Sequence, residues 1–494
     1  MTEPLVLAID QGTTNTKALL VAPDGSVRLS RSRAMSLDYP QPGWVEQSAS
    51  DIWETVAGLI AEVAAAAGPA DIAAVAISNQ RETIVVWDAA TGHPIGPAII
   101  WQCRRSADRC NALRAAGHEA EIAARSGLGL DPLFPAAKIA WLLDETPGAR
   151  ARAERGELKC GTIDSWLLWN LTAGGVHATD HGNASRTQLF NLDTLSWDAD
   201  LARLFDVPLS LLPAVMPSDS RFGAVAPGVT ALRDHTPIHA MIGDSHAALF
   251  AHAASGARLK VTIGTGSSLM TATDGRVRSS HGLSSTIAWS QGDAVQHALE
   301  GNISVSGQAA AFAATLLGLP DEEALTSLAA SVDDSDGVVF VPALAGLGAP
   351  HWCSDARGAI TGLSLSSGRA HVARATLEAI ALQIGDVVAA LDADLGARLP
   401  ELSVDGGATR NALLMQLLAD LLDREIVRPA IAEASALGAA RLAGEALGLA
   451  AAGSHSVQAE RFAPAMAAER RARVVRRWRD AVASAVRDAA QGGT

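Results

Sequence analysis

The sequence predicts a globular α/β protein with two similar domains that face each other across a cleft. Three observations support this prediction. The 494 residues suffice for two to four domains at about 150 residues each. Short apolar strands that end in a turn of Gly and Thr and lead into a helix occur in both halves. The composition, 48% hydrophobic and 19% charged, is that of a folded chain and excludes a disordered or fibrous protein.

Strands and one helix fill the first hundred residues. Asp24 and Gly25, flanked by apolar runs, form a strong hairpin signal. Residues 48–51 are typical of a helix N-cap, and apolar residues at helical spacing follow until Gly68 and Pro69. The predicted strands cover residues 4–10, 18–21, 27–30, 72–78, 83–87 and 94–100.

The second half repeats this arrangement. Gly264 to Gly266 form a tight turn between two strands, and a further strand ends at Asp405, just before two glycines. The predicted strands cover residues 258–263, 268–273, 287–289, 295–299 and 402–404, and a helix covers 411–422. We expect the joint between the halves within residues 241–253 and therefore predict domains over 1–246 and 247–494.

The net charge and the cysteine content limit the kinds of partner and metal site that the protein can have. A net charge of −14 argues against binding to nucleic-acid backbones or anionic lipid. The longest apolar stretch, residues 56–70, is too short to insert in a membrane, and the first residues do not resemble a signal peptide. Cys103, Cys110, Cys160 and Cys353 are not spaced for zinc, which predicts free thiols. We expect a cytoplasmic protein with no nucleic-acid partner and no membrane insertion.

An arginine-rich segment lies near the C-terminus, over residues 467–490. Val474, Val475, Trp478 and Val482 fall on one side of the predicted helix. Because runs of charge are usually solvated faces, we expect a terminal helix docked on its own domain rather than one that binds a membrane or nucleic acid.

Three Gly-containing turns, at residues 10–16, 264–268 and 405–408, each follow a predicted strand. Glycine permits close backbone approach, and consecutive N–H groups form a concave anion site. Asp10 and Asp405, at strand ends, suit a hydrated Mg²⁺ near phosphate oxygens. No P-loop, dinucleotide fingerprint or nucleophile elbow is present. One such turn would be ordinary, but three turns distributed over the two halves indicate a nucleotide held between two domains, as in the actin-like ATPases.

Over nearly its whole length the chain resembles the FGGY family of carbohydrate kinases. The matching segments include AIDQGTTNTKALL, ISNQRETIVVWDAATGHPI, GDSHAALF, IGTGS and VDGGATRNALLMQ. Residues 358–378 fit the second family signature, and residues 133–145 fit the first except at Leu133. The resemblance implies two actin-like (ribonuclease H-like) domains flanking a cleft. The N-terminal one would carry the polyol site and a phosphate loop, and the C-terminal one would bind the nucleotide.

The same resemblance implies transfer of the γ-phosphoryl group of ATP, with Mg²⁺, to a primary hydroxyl of a polyol or sugar. Asp244 matches the catalytic base, since a carboxylate there can accept the hydroxyl proton. Asp10 and Asp244 would hold the metal. The implied nucleotide-binding residues are Thr13, Thr14, Asn15, Lys17, Thr265, Gly307, Gly407 and Asn411.

Within the family, the chain is most similar to the glycerol-phosphorylating branch, but its substrate positions agree only in part. That branch has Tyr, Gln and Phe where this chain has Leu133, Ser245 and Ser268, which predicts a larger and differently polar pocket. The implied substrate-binding residues are Arg81, Glu82, Trp101, Leu133, Asp244, Ser245 and Ser268.

Glycerol, giving sn-glycerol 3-phosphate, is the substrate that the sequence favours. A tetritol, pentitol, ribulose or xylulose is the alternative within the same chemistry, because the three departures change the pocket. A non-catalytic actin-like nucleotide sensor is a remote alternative from another class. Family members are commonly dimers or tetramers, so we expect a homo-oligomer.

Overall fold

Two mixed β-sheets, one in each half of the chain, organise the computed structural model of the protein. The structure describes residues 3–67, 72–253, 258–429, 433–449 and 458–491. No helix in these ranges is both long and apolar enough to cross a bilayer.

The N-terminal half contains fourteen strands and nine α-helices within the described ranges. The strands are β1 (Leu5–Gln11), β2 (Asn15–Val21), β3 (Val27–Ala34), β4 (Glu46–Gln47), β5 (Ile72–Asn79), β6 (Ile84–Asp88), β7 (Ala98–Ile99), β8 (Leu158–Thr162), β9 (Ala178–Asp180), β10 (Phe190–Asn191), β11 (Ser196–Trp197), β12 (Ala214–Met216), β13 (Arg221–Ala224) and β14 (Pro237–Gly243). The helices are α1 (Ala49–Ala67), α2 (Ala107–Ala115), α3 (Glu119–Ser126), α4 (Pro135–Glu145), α5 (Ala149–Glu154), α6 (Ile163–Leu171), α7 (His181–Ser185), α8 (Ala199–Phe205) and α9 (Asp244–Ala253).

The C-terminal half adds nine strands and six α-helices within the described ranges. The strands are β15 (Leu259–Ile263), β16 (Ser267–Thr273), β17 (Ser284–Gln291), β18 (Ala294–Ile303), β19 (Val339–Val341), β20 (Ala359–Thr361), β21 (Glu401–Asp405), β22 (Glu425–Pro429) and β23 (Ala459–Phe462). The helices are α10 (Gly307–Leu316), α11 (Glu322–Ala329), α12 (Arg369–Leu395), α13 (Ala412–Leu422), α14 (Ala434–Ala446) and α15 (Ala468–Gln491).

The N-terminal sheet has the strand order β13-β14-β5-β1-β2-β3. Strands β1, β2 and β3 are antiparallel neighbours, whereas β5 and β14 continue the sheet parallel to β1. The Asp24-Gly25 hairpin is confirmed, with Gly25 at a positive φ of 78°. Helix α1 covers this sheet, and the Ser48 hydroxyl caps it by accepting a hydrogen bond from the Asp51 N–H at 3.1 Å.

The C-terminal sheet has the strand order β17-β18-β16-β15-β21-β22-β23. Its centre repeats the pattern of the first sheet. The β15–β16–β18 strands are antiparallel, and β21 and β22 extend the sheet parallel to β15. In both sheets the first strand of the meander and the parallel strand beside it end at the same edge, which brings the predicted turns to that edge.

Helices α9 and α14 form an apolar layer between the two halves. Helix α9 directly follows β14 of the first sheet, and α14 packs on both α9 and the N-terminal sheet. Gly438 permits this contact, because a Cβ atom there would lie 1.9 Å from the carbonyl oxygen of Ala247. The buried apolar residues of the layer come from both sheets and both helices: Val6, Ala8, Leu19, Val21, Ala76, Ala240, Ile242, Ala247, Leu249, Phe250, Met270, Ala288, Trp289, Ala298, Ala436, Ala439, Ala440, Leu442 and Ala443.

The terminal helix α15 docks on the C-terminal domain as predicted. Its residues Trp478, Val482 and Ala485 are buried in the core of that half, and the Trp478 Nε1–H donates to Asp386 at 2.8 Å. The four cysteines are free, as predicted. The predicted domain boundary at 246/247 lies within α9, the helix between the two sheets.

Candidate active site

Two carboxyl groups face each other where the halves meet. Asp10 lies at the end of β1, and Asp244 is the first residue of α9. Burial, and next the charge of Asp244, raises the pKa of the Asp10 carboxyl to about 7. The Ser78 hydroxyl donates to Asp10 at 2.9 Å. Partial burial in the cleft also raises the pKa of Asp244, against the opposing charge of Arg81.

The first predicted phosphate turn is closed by its own backbone. The Gly12 N–H donates to the Asn15 carbonyl at 3.0 Å, and the Thr14 carbonyl accepts from Met35. The hydroxyl of Thr13 accepts from the Trp101 Nε1–H at 2.9 Å, so this indole is fixed beside the turn. The Trp101 side chain is half-buried and borders a cavity, as a wall of a substrate site would.

Arg81 is held by a carboxylate of the other half. Its two terminal nitrogens donate to the two oxygens of Glu300, on β18, at 3.0 and 2.5 Å. One of them also contacts His246 Nε2 at 3.3 Å. The Nε of Arg81 lies 3.5 Å from Asp244 Oδ1 and has no hydrogen-bond partner among the described residues. The side chain of Asp244 is 36% exposed, whereas that of Arg81 is only 5% exposed, with its Nε buried beside Asp244.

Glu82 is fixed from behind by two basic residues. The Nε–H of Arg186 donates to Glu82 Oε1 at 2.6 Å, and its Nη1 lies 2.9 Å from Glu300. Lys138 donates to the backbone carbonyls of Glu82, at 3.0 Å, and Leu133, at 2.6 Å. The backbone carbonyl of Leu133 therefore lies near that of Glu82, and the implied role of the Leu133 side chain in substrate binding stays a prediction.

The three residues that differ from the glycerol-phosphorylating branch of the family lie in different surroundings. Leu133 lines a cavity of about 100 Å³ between the halves, together with Trp101 and Trp352. The Ser268 hydroxyl donates to Glu300 Oε1 at 2.9 Å. The backbone N–H of Ser245 donates to Asp244 Oδ1 at 2.6 Å and so orients that carboxylate.

The predicted nucleotide turns of the C-terminal half pack on each other. The Gly307 N–H, at the start of α10, donates to the Gly264 carbonyl at 2.9 Å, and the Thr265 carbonyl accepts from the Ser306 and Gln308 N–H groups. A Cβ atom at Gly307 would lie 2.4 Å from the Gly264 carbonyl oxygen and 3.9 Å from Ala408 Cβ. The exposed Gly407 is therefore beside this pair of turns.

Lys17 and Asn411 are already engaged by protein groups. Lys17 Nζ donates to the Glu433 carboxylate at 2.5 Å, just before α14. The Asn411 side chain caps α13 by accepting from the Leu414 N–H at 3.1 Å, and its amide donates to Thr326 at 2.8 Å. Their implied contacts with a nucleotide stay predictions, and for Lys17 they require an exchange of partner.

The sequence analysis missed a buried polar layer behind the site. Glu300, Arg186 and His246 belong to it, and so does Lys260, whose ammonium group has no hydrogen-bond partner among the described residues. Burial lowers the pKa of Lys260, which Asp405 opposes by its charge. Two features of the sequence could have indicated this layer. One is the acidic residue Glu300 in the segment HALEG, and the other is Lys260, one of only four lysines, inside an apolar strand.

The carboxyl pair fits a divalent cation. Asp10 and Asp244 repel each other, and a cation between them would favour the ionised form of both. Within the described ranges, no cluster of three or more His, Cys, Asp or Glu could hold a metal by protein ligands alone. Such a pair matches the way Mg²⁺ is usually bound, by one or two carboxylates together with phosphate oxygens and water.

Comparison with known proteins agrees with this architecture. Residues 5–251 match the N-terminal domain model, and residues 259–447 the C-terminal domain model, of the FGGY family of carbohydrate kinases. The chain is 46% identical to glycerol kinase of Burkholderia multivorans over 494 residues, with 98% of each chain covered. Identity to glycerol kinase of Symbiobacterium thermophilum is also 46%, over 493 residues and 98% of each chain.

Solved structures show the same fold. The Plasmodium falciparum glycerol kinase crystallised with ADP superposes with a TM-score of 0.90 at 30% identity, covering 98% of this chain and 99% of that one. A xylulose kinase from Lactobacillus acidophilus gives a TM-score of 0.87 at 22% identity, covering 98% and 99%, which shows the fold alone. The predicted pair of actin-like domains is confirmed, and the chain belongs to the FGGY family of carbohydrate kinases.

Proposed function

We propose that this carbohydrate kinase transfers the γ-phosphoryl group of ATP to a primary hydroxyl of glycerol and so forms sn-glycerol 3-phosphate. The observation that carries the proposal is the position of Asp244, which lies beside the unpartnered Nε–H of Arg81 and opposite Asp10. The full-length similarity to glycerol kinases supports the choice of substrate.

In the proposed mechanism, Asp244 accepts the proton of the attacking hydroxyl. The ionised carboxylate of Asp244, which a bound cation would favour, is the form that accepts this proton. The Arg81 guanidinium donates to a neighbouring hydroxyl, and Glu82 accepts from one. Two charged groups side by side suit vicinal hydroxyls, and a substrate lacking one of them would leave a buried group unpaired. Trp101 covers the carbon chain.

The backbone N–H groups of the turns at 10–16 and 264–266 are suited to bind the phosphate oxygens of ATP. Phosphoryl transfer depends mostly on positioning and charge stabilisation, which these turns would supply. Asp10 and Asp244 would hold Mg²⁺, which when bound neutralises phosphate charge. Closure of the halves would exclude water, a competing acceptor.

A larger polyol or ketose is the second candidate within the same chemistry. The cavity of about 100 Å³ at Leu133 and Trp101 is also lined by polar side chains from both halves, including Asp131, Asn302 and Gln308. These groups could bind the hydroxyls of a fourth or fifth carbon.

A substrate panel tests the proposal. ADP release is measured with ATP, Mg²⁺ and, in turn, glycerol, erythritol, threitol, xylitol, ribulose and xylulose. We expect the highest kcat/KM for glycerol. A higher value for a longer substrate would select the second candidate, and turnover that no substrate raises above background would support the nucleotide sensor. The homo-oligomeric state and cytoplasmic location stay predictions.

A further inference from the structure

Glu300 is a carboxylate of the C-terminal half that lies behind the polyol site of the N-terminal half. Its side chain is fully buried on β18, and the same carboxylate contacts Arg81, Arg186 and Ser268. The two arginines precede it by 219 and 114 residues in the chain. One acidic group thus joins two basic groups across the domain boundary.

The pairing decides which edge of Arg81 is free. Both terminal nitrogens of its guanidinium point at the two oxygens of Glu300, a bidentate arrangement that fixes the plane of the group. Nε is the one nitrogen of this guanidinium without a hydrogen-bond partner among the described residues, and it lies 3.5 Å from Asp244 Oδ1. Without Glu300, the guanidinium could rotate, and its terminal nitrogens could pair with Asp244 instead.

Arg186 links Glu300 to Glu82, so the orientation of Glu82 is restricted as well. Arg186 contacts Glu300 through Nη1 and donates from Nε to Glu82 Oε1. Arg186 is fully buried and lies over the ring of Phe134, which restricts it further. The orientation of Glu82 therefore also depends on Glu300.

We propose that Glu300 is a positioning residue for polyol recognition: it holds Arg81 and, through Arg186, Glu82 in the orientation that binds the substrate hydroxyls. The inference rests on the proposed function of the Arg81–Glu82 pair. It makes the polyol site of one domain dependent on a residue of the other, so that recognition requires the two halves to be docked.

The variant Glu300→Gln tests this proposal, with steady-state kinetics for the best polyol of the panel and for ATP. Loss of the charge leaves the two guanidiniums without a full counter-charge. We expect the polyol KM to rise about 10–100-fold, as for loss of a hydrogen bond to a charged group, and the ATP KM to change less than about 2-fold. Discrimination between glycerol and propane-1,3-diol should fall, because the pair that reads the middle hydroxyl is no longer fixed.

Glu378→Gln is the matched control. Glu378 is also a buried glutamate of the C-terminal half that pairs with an arginine, Arg374 at 3.1 Å, but it lies on α12 away from the site. We expect this variant to keep both KM values. A similar rise in polyol KM in both variants would mean that loss of any buried charge pair has this effect, and the proposal would be overturned.

Glu300→Asp keeps the charge on a shorter side chain and decides the matter if Glu300→Gln does not fold. We expect the polyol KM to rise by about 2–10-fold with the ATP KM unchanged. Equal changes in both constants, or no change in either, would overturn the proposal. The wild-type enzyme distinguishes a failure of the proposed function from a failure of the proposed role of Glu300. If no polyol stimulates the wild type, the proposed function fails. If the wild type is active and the Glu300→Gln variant is unaffected, only the role of Glu300 is contradicted.

Discussion

At the scale of single residues, the site combines an accessible carboxylate with a nearly enclosed arginine. Asp244 is exposed enough to meet a ligand, while Arg81 is buried and fixed by Glu300. This asymmetry suits a base that must reach a hydroxyl and a donor that must not move. Substitutions of Asp244 and of Arg81 should therefore affect the reaction in different ways.

Asp244→Asn should lower kcat by about 10²–10⁴-fold, because the amide cannot accept the hydroxyl proton. Nucleotide binding should change little, since the turns that would bind the phosphates remain. Stopped assays give kcat, and calorimetric titration with ADP gives the affinity. Normal turnover in this variant would remove Asp244 from the mechanism.

Leu133→Tyr should lower the KM for glycerol. The phenol would fill part of the cavity that Leu133 lines together with Trp101 and Trp352 and would supply a hydroxyl there. A gained hydrogen bond of about 1 kcal/mol corresponds to a roughly 5-fold lower KM. The same assay with xylitol is the control, because a smaller cavity should not help a longer polyol. An unchanged or higher glycerol KM would contradict the explanation of this departure.

The site residues were predictable from sequence only where they belong to a local pattern. Asp10 and Asp244 directly follow apolar strands, and Arg81 and Glu82 lie in a recognisable segment. Glu300 and Arg186 were not predicted, because their charged partners are more than 100 residues away and a buried charge pair leaves no periodic signal. Strand β18 was expected to end at residue 299, whereas it continues to Ile303 and so includes Glu300.

At the scale of elements, the first turn of α6 contains a buried acid. Asp164 accepts hydrogen bonds from Thr162, at 2.5 Å, and Thr179, at 2.6 Å, and thereby ties α6 to β9. Burial, and next the charge of Asp180, raises the pKa of Asp164 to about 7. The unfolded chain would have the ordinary value of 3.8. Between these values the folded state retains a proton that the unfolded state has lost.

This difference predicts how stability depends on pH. Because the folded state binds more protons between about pH 4 and pH 7, Asp164 makes the protein less stable as the pH rises through that window. Asp164→Asn cannot ionise and keeps a hydrogen-bonding side chain. Relative to wild type, it should gain stability from pH 4 to pH 8, on the order of 4 kcal/mol at about 1.4 kcal/mol per pKa unit. Urea unfolding at several pH values measures the difference, and a pH-independent one would contradict the prediction.

Gly438→Ala should destabilise the contact between α14 and α9. A helix-interior alanine is normally favoured over glycine by about 1 kcal/mol, but here its Cβ would lie 1.9 Å from the Ala247 carbonyl oxygen. We expect a net loss of about 2 kcal/mol or more, since backbone must move. Gly385→Ala in α12 is the control, because its Cβ would meet only Leu422 at 3.4 Å. Equal unfolding free energies for the two variants would contradict the close approach.

The elements themselves were largely predictable from local chemistry. The Asp-Gly turn, the Ser48 cap and the apolar spacing of α1 each act within a few residues, so the first hairpin and helix were correctly placed. The pairing of strands was not predictable in this way. Whether β14 lies beside β5 depends on packing between segments that are some 160 residues apart in the chain.

At the scale of the whole molecule, neither half is complete without the other. The face of the N-terminal sheet that carries Val6, Ala8 and Ile242 is covered by α14, which lies in the chain between β22 and β23 of the C-terminal sheet. The charged layer around Glu300 is likewise shared. Unfolding of either half would expose the apolar surface and the unpaired charges of the remaining one.

We therefore expect the two halves to unfold together. In urea, far-ultraviolet circular dichroism, which reports both halves, and tryptophan fluorescence should give coincident transitions. Eight of the eleven tryptophans precede residue 247, so fluorescence mainly reports the N-terminal half. ADP should shift both curves equally, because a ligand of one cooperative unit stabilises all of it. Two separate transitions, with ADP moving only one, would show that the shared layer of α9 and α14 does not couple the domains, and that Glu300 joins two independently stable bodies.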